Sequence, residues 1–173
     1  MFESRQNTIR VIRIVPDTFV DGPGMRTTVY CAGCAHHCEG CHNPSTWDFG
    51  AGTPMTPQEI WQAIISESPN SNLTFSGGDP IYQVEGFTQL AKIAKEHNKT
   101  VWCYTGFRYE SIAADLRMRQ ILPYLDVLVD GPFVLAERDT SLLFRGSRNQ
   151  RLIDVPATLK KNDGTIVEWQ TWW

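Results

Sequence analysis

The sequence predicts a single α/β domain over residues 1–173, built on a mostly parallel sheet that forms either an incomplete, open βα barrel or a small doubly wound sheet. Three observations carry that expectation. Runs of β-branched residues alternate with amphipathic helical segments, and glycine-rich turns follow several of those runs. The length of 173 residues also falls short of the roughly 250 that a complete eight-unit barrel takes. A hydrophobic content of 42% with six Trp supplies a core and excludes a largely disordered chain.

The elements follow in order. T-I-R-V-I-R-I-V at 8–15 and R-T-T-V-Y-C at 26–31 read as strands, with D-G-P-G at 21–24 as the turn between them. A cysteine-bearing loop spans about 32–50. In T-P-Q-E at 56–59, Thr56 is the N-cap, Pro57 the first helical residue and Glu59 the capping-box partner, and Ile60, Ala63 and Ile64 supply the buried stripe. A short strand near 72–76, a helix near 84–97 with Phe87, Leu90, Ala91 and Ala94 on one face, and a strand at 100–104 make the next unit. A helix near 109–119 then leads past Pro123 to the strand L-D-V-L-V at 125–129. Right-handed crossovers turn this βαβαβ succession into a largely parallel sheet. The part near 145–173 changes character: R-L-I-D-V at 151–155 and T-I-V-E-W at 165–169 flank K-K-N-D-G at 160–164, which predicts a hairpin or an extended tail.

Sixteen basic against 19 acidic residues give a formal charge of -3, so neither nucleic acid nor anionic lipid has an electrostatic hold on the chain as a whole. No apolar run approaches the roughly 20 residues of a membrane span. The segment M-F-E-S-R-Q-N lacks the apolar stretch of a secretory signal, and the chain reads as cytoplasmic.

Chemistry gathers at strand ends. S-G-G-D-P at 76–80, Y-T-G-F at 104–107 and V-D-G-P-F at 129–133 each begin where a parallel strand is expected to finish, the edge at which α/β proteins build their sites. Any one of these could merely terminate a strand. Together with a cysteine loop, they point at one pocket.

Four of the five cysteines, Cys31, Cys34, Cys38 and Cys41, lie within residues 31–41, a clustering that suits metal ligation better than a disulfide framework. Cys103, in the apolar run V-W-C-Y, reads as a core residue. The pattern C-x2-C-x3-C-x2-C contains C-x3-C-x2-C at Cys34, Cys38 and Cys41. Three thiolates on a cubane iron-sulfur cluster leave one iron open for a substrate, whereas four would suit a structural zinc or an electron-transfer module. Strand residues three apart face opposite ways, so Cys31 is expected to pack inside.

The C-x3-C-x2-C subset resembles the signature of the radical S-adenosylmethionine (SAM) enzymes. D-G-P-G-M-R-T at 21–27, C-A-H-H-C-E-G-C-H-N-P-S-T-W at 34–47, S-G-G-D-P, V-W-C-Y-T-G at 101–106, V-L-V-D-G-P-F at 127–133 and F-R-G-S-R-N-Q-R at 144–151 together resemble the activating enzymes of anaerobic (class III) ribonucleotide reductases. That resemblance implies an incomplete barrel of the radical SAM type. It also implies a [4Fe-4S] cluster on Cys34, Cys38 and Cys41, cleavage of SAM, and a glycyl radical installed on the large reductase subunit. A one-electron donor such as a flavodoxin or ferredoxin is the further partner. An activase of another glycyl-radical enzyme is the alternative within the same chemistry.

By the same resemblance, Ser76, Gly77 and Gly78 bring backbone to the SAM amino group, with glycine permitting close approach. Asp79 either contacts that ammonium or caps the Gly-Asp-Pro turn. Thr105 and Asp130 are candidates for the ribose or the methionine end. Gly40 stands where related enzymes often carry an aromatic, which leaves adenine to the backbone or to His42; His42 could instead tune the cluster. His36 and His37 read as exposed loop residues. Arg145, Arg148 and Arg151 recur every three residues, either as a solvated face or as groups that grip the reductase or SAM's carboxylate, with Arg145 and Arg148 the candidates for binding the reductase.

Overall fold

The computed structural model describes residues 7–170; all but the last residue of the segment read for a secretory signal, and the last three residues of the tail, lie outside them. Strands β1 (Ile9–Thr18), β2 (Arg26–Cys31) and β3 (Thr53–Met55) precede helix α1 (Pro57–Glu67). Then come β4 (Asn72–Gly77), α2 (Val84–Glu96), β5 (Val101–Tyr104), α3 (Tyr109–Ala114), β6 (Val127–Asp130), β7 (Arg151–Asp154) and α4 (Val155–Lys161). All seven strands join one sheet in the order β3-β1-β2-β4-β5-β6-β7. The central four, β2, β4, β5 and β6, are parallel, while β1 with β3 on one side and β7 on the other run antiparallel. The result is an α/β fold on an open, mixed sheet, with more antiparallel pairing at its edges than the strand-helix alternation announced.

Period-two alternation decides which side chain meets which layer. Val29, Cys31, Leu73, Phe75, Val101, Cys103 and Leu128 face the helices, where Ile60 and Ile64 of α1 and Phe87, Leu90, Ala91 and Ala94 of α2 complete the main core. Their strand neighbours Trp102, Val127 and Val129 point the other way, into a smaller cluster joined by Tyr104, Phe144, Leu152 and Trp169. The register sets Tyr30 beside Ser76, Cys31 beside Gly77, and Tyr104 beside Val129, so the ends of the parallel strands finish level with one another.

Local chemistry fixes the helix boundaries. Glu59 N donates to Thr56 Oγ1 at 3.2 Å and Thr56 N donates to Glu59 Oε2 at 2.7 Å, the capping box that opens α1. Helix α3 stops at Ala114, short of the expected end at 119, because the Asp115 carboxylate accepts Arg117 N and Met118 N, both at 2.8 Å. That turn starts the 3-10 segment Met118–Tyr124, which contains Pro123. The C-terminal region, expected as a hairpin or an extended tail, differs in its connecting segment for a similar reason. Asp154 Oδ1 accepts Ala157 N at 2.8 Å with a proline in the first turn, so V-P-A-T-L-K-K becomes α4, ended by left-handed Asn162 at φ 54°. Beyond it the tail returns beside β7: Asp154 N donates to Val167 O at 2.9 Å and Trp169 N to Leu152 O at 2.7 Å. Among the described residues no helix is long and apolar enough to cross a membrane.

Candidate functional site

A cavity of about 390 Å³ opens at the C-terminal edge of the parallel strands. Cys34, Cys38, Cys41 and His42 from the cysteine loop line it, with Ser76, Gly77 and Gly78 after β4, Tyr104, Thr105 and Gly106 after β5, and Gly131 and Phe133 after β6. The three strand-end motifs and the cysteine loop do meet at one pocket. Val20, Asp21 and Tyr30 approach from the β1–β2 side, and Leu142, Phe144 and Arg145 from the segment before β7.

Backbone hydrogen bonds hold the cysteine loop to its neighbours. Gly33 N donates to Thr46 O at 2.7 Å and Cys34 N to Trp47 O at 3.1 Å, closing the loop on itself. Gly78 N donates to Cys31 O at 2.7 Å and Asp79 N to Gly33 O at 2.8 Å, tying the loop's start to the S-G-G-D-P turn. These crossings need glycine. A Cβ on Gly78 would lie 2.5 Å from Gly33 O, and one on Gly77, at φ +104°, would strike the Cys31 backbone. The close approach expected toward a ligand is thus made, in part, to the protein's own loop.

The four clustered cysteines divide between core and cavity, with Cys31 closing β2 and Cys34, Cys38 and Cys41 in the loop beyond it. Cys31 is fully buried in the helix-side core, with its thiol pushed well up by burial, and is not on the cavity wall. Cys103 shares that core. Cys34 is nearly buried, and burial pushes its thiol up to about 11, with Asp79 and the other two loop thiols adding to the rise. Cys38 and Cys41 are partly exposed, and Cys41 Sγ accepts Asn43 N at 3.4 Å. Three thiols lining one cavity, the last two separated by a glycine-bearing turn, are a donor set that suits an iron-sulfur cluster: thiolate ligands come from one short loop, and binding must displace the proton that Cys34 holds. Among the described residues no group of three His, Cys, Asp or Glu side chains is gathered for a single ion.

Asp79 does not reach the cavity wall. Its carboxylate is buried, accepts Ile81 N at 3.0 Å as the cap of the following turn, and accepts Thr105 Oγ1 and Gly106 N at 2.9 Å each. Its fourth donor is His36 Nε2 at 2.8 Å. His36 is therefore not the exposed loop residue expected from sequence, since its ring also packs edge-on to Phe107 with centroids 4.7 Å apart. His37 is exposed at φ 47° and meets Trp47 edge-on. Asp130 is likewise buried and away from the cavity lining, where it accepts Tyr109 N at 2.7 Å and is paired with Arg151. Gly40 is not on the lining either, and Leu135 occupies the space a Cβ there would need. His42 faces the cavity with its ring 5.2 Å from that of Phe133.

The three arginines have three fates. Arg145 lines the cavity and donates to Gln150 O at 2.8 Å. Arg148, with 71% of its side chain exposed, pairs with Asp139 at 3.0 Å. Arg151 bridges Asp130 and Glu110 and belongs to the fold.

Asp21, Tyr30 and Tyr104 are wall residues for which the sequence suggested no role. Asp21 Oδ2 accepts Thr28 Oγ1 at 2.9 Å and Tyr30 OH at 2.7 Å. Burial, reinforced by Asp21, pushes the Tyr30 hydroxyl up to about 12, and burial raises Tyr104 further, so both phenols stay protonated in the cavity at neutral pH. The available signal was alternation, since Thr28, Tyr30, Ser76 and Tyr104 share the sheet face opposite the helix core.

Residues 20–153 match a family model described as a 4Fe-4S single cluster domain. Among curated proteins, the chain is similar to the anaerobic ribonucleoside-triphosphate reductase-activating protein of Pasteurella multocida, with 37% identity over 147 residues, 80% of this chain and 93% of the relative. The protein of the same name from Enterobacteria phage T4 is 37% identical over 147 residues, covering 81% and 90%. That of Escherichia coli K12 is 35% identical over 144 residues, covering 78% and 92%.

Proposed function

The chain belongs to the family of anaerobic ribonucleoside-triphosphate reductase-activating proteins, and from that premise we propose that it is a radical SAM activase, which cleaves SAM reductively and installs a glycyl radical on the anaerobic reductase. The observation that carries this reading is that Cys34, Cys38 and Cys41 line the same cavity as the three glycine-rich strand ends, while Cys31 lies in the core. Cys34, Cys38 and Cys41 would hold the [4Fe-4S] cluster, which when bound supplies the electron that breaks a sulfonium C–S bond.

The remaining work falls to the protein. Ser76, Gly77 and Gly78 offer backbone polar groups to the amino acid end of SAM, Thr105 offers an oxygen, and His42 with Phe133 provides a ring surface for a base. Apolar Leu142 and Phe144 would shield the reacting carbon from water. Protonated Tyr30 and Tyr104 contribute hydrogen-bonding walls without adding charge. An open sheet supports the incomplete barrel of radical SAM type, and its lateral opening would admit a glycine-bearing loop of the large reductase subunit. A flavodoxin or ferredoxin would deliver the electron, in the cytoplasm.

Anaerobically reconstituted protein, reduced and given SAM with the large reductase subunit, is expected to produce a doublet EPR signal on that subunit. Alanine at the reductase's radical-site glycine should abolish the signal. Stoichiometric zinc in place of iron, or SAM cleavage that leaves no radical on the reductase, would overturn the proposal.

A further inference from the structure

His36 and Asp79 form a junction that no motif reading assigned. The buried Asp79 carboxylate takes four donors from three parts of the chain: His36 Nε2 between Cys34 and Cys38, Ile81 N in its own turn, and Thr105 Oγ1 with Gly106 N after β5. Three of these partners converge on Oδ2 and the fourth, Ile81 N, reaches Oδ1, so the protein itself holds the carboxylate at both oxygens. The ring fits as closely as the hydrogen bond. A Cβ on Gly106 would lie 2.5 Å from His36 Cδ2, and Phe107 closes the other side.

We infer that His36 and Asp79 are positioning residues: together they lock the cysteine loop against the end of β5, and Asp79 acts on SAM through Thr105 and the loop, not by touching the ammonium. The inference rests on the proposed reading that this cavity takes the cluster and SAM. Asp79 is buried and absent from the cavity wall, whereas Thr105 and Gly106, which donate to it, line that wall and stand between the carboxylate and a ligand's ammonium. His36 lies between the first two of the loop's cysteines in sequence, so its bond to Asp79 adds a side-chain tie to the backbone bonds that hold the loop's start against the strand ends.

Three measurements test this. In the apo protein, His36→Ala and Asp79→Asn should each lower the melting temperature by about 4–8 °C, and the double variant should fall no further than the worse single one. Additive shifts would overturn the pairing. His36→Gln, which can place an N–H near the position of Nε2, should recover most of the loss, and failure to do so while Asn or Ala performs as well would also count against it.

In the reconstituted protein, Asp79→Asn should weaken S-adenosylhomocysteine and 5'-methylthioadenosine by the same factor, about tenfold, because both use the pocket that Asp79 holds in shape. The second compound lacks the amino group, so weakening confined to the first would make Asp79 an ammonium ligand and sink the inference. The EPR line shape of the reduced cluster should change in His36→Ala and return in His36→Gln; an unchanged spectrum in both would remove His36 from the loop's control. Wild-type protein that takes up neither iron nor SAM would defeat the functional reading alone, and the apo cycle would still decide the pair.

Discussion

Arg151 and Asp130 sit directly opposite each other on the antiparallel strands β7 and β6, with Arg151 Nε donating to Asp130 Oδ1 at 2.9 Å and Nη2 closing a second bond to Oδ2. The same guanidinium reaches Glu110 at 3.0 and 2.9 Å, and Asp130 also receives Tyr109 N. One arginine thus fastens an edge strand, a central strand and α3, and these pairings, with Glu110 after Asp130, raise its own pKa far above the ordinary value. Replacing it with Met would leave Asp130 charged and buried without its partner. Arg151→Met should cost about 3–5 kcal/mol in chemical denaturation, and a loss below about 1 kcal/mol would show that Asp130 finds solvent or another donor.

The outer half of this network sets a pH dependence. Arg151 holds the Glu110 carboxyl down from 4.5 to about 2. A group whose pKa is lower folded than unfolded adds stability above its unfolded value, and that addition disappears as pH falls from about 4.5 toward about 2. Glu110 is 59% exposed, so the contribution is modest, at about 1 kcal/mol or less. The difference in unfolding free energy between the wild type and Glu110→Gln should be constant near neutrality and vanish across that acid window. A difference that grew on acidification would have the wrong sign.

Much of this architecture was legible because its causes are local. The Thr56 capping box, the Phe87–Ala94 stripe and the Val/Thr runs of the parallel strands are short-range patterns, and the structure realises each of them. Strand ends were legible for the same reason, so the cavity could be anticipated from S-G-G-D-P, Y-T-G-F and V-D-G-P-F. Long-range partners were not. His36 meets a carboxylate 43 residues away and Asp130 a guanidinium 21 residues away, so neither contact leaves a mark in its own neighbourhood. Helix α4 is different: Asp154 followed by Pro156 is a local start signal, overridden in reading by the turn-like K-K-N-D-G that in fact ends the helix.

Cysteine substitutions separate an open-iron site from a four-thiolate one. Cys34→Ser, Cys38→Ser and Cys41→Ser should each prevent assembly of a cluster of about four irons, whereas Cys31→Ser should retain it, because Cys31 points into the helix-side core. Iron and sulfide analysis after anaerobic reconstitution reads this directly. Equal loss in all four variants would place Cys31 among the ligands.

Gly78 gives a prediction that the structure alters. A branched residue there would clash with Gly33 before it met any ligand. Gly78→Ala is therefore expected to destabilise the apo protein by about 1–3 kcal/mol and to lower cluster loading together with SAM affinity. A variant of normal stability and normal iron content that fails only in SAM binding would restore the purely ligand-facing view of this glycine.

Arg145 and Arg148 were paired in sequence as candidates for gripping the reductase, and their surroundings now part them. Arg148 projects into solvent beside Asp139, so its loss changes the surface and leaves the cavity intact. Arg145 is a cavity wall residue anchored on Gln150 O, and its loss changes the space in which SAM would react. Arg148→Ala should then lower glycyl-radical yield on the reductase several-fold while uncoupled SAM cleavage stays near wild type. Arg145→Ala should depress both together. The two activities can be read in one preparation, as EPR spin count on the reductase and as 5'-deoxyadenosine released without it. Should Arg145→Ala spare cleavage and abolish only transfer, the cavity mouth, and not the SAM pocket, is where that guanidinium acts; should Arg148→Ala change neither, its pairing with Asp139 serves the surface alone.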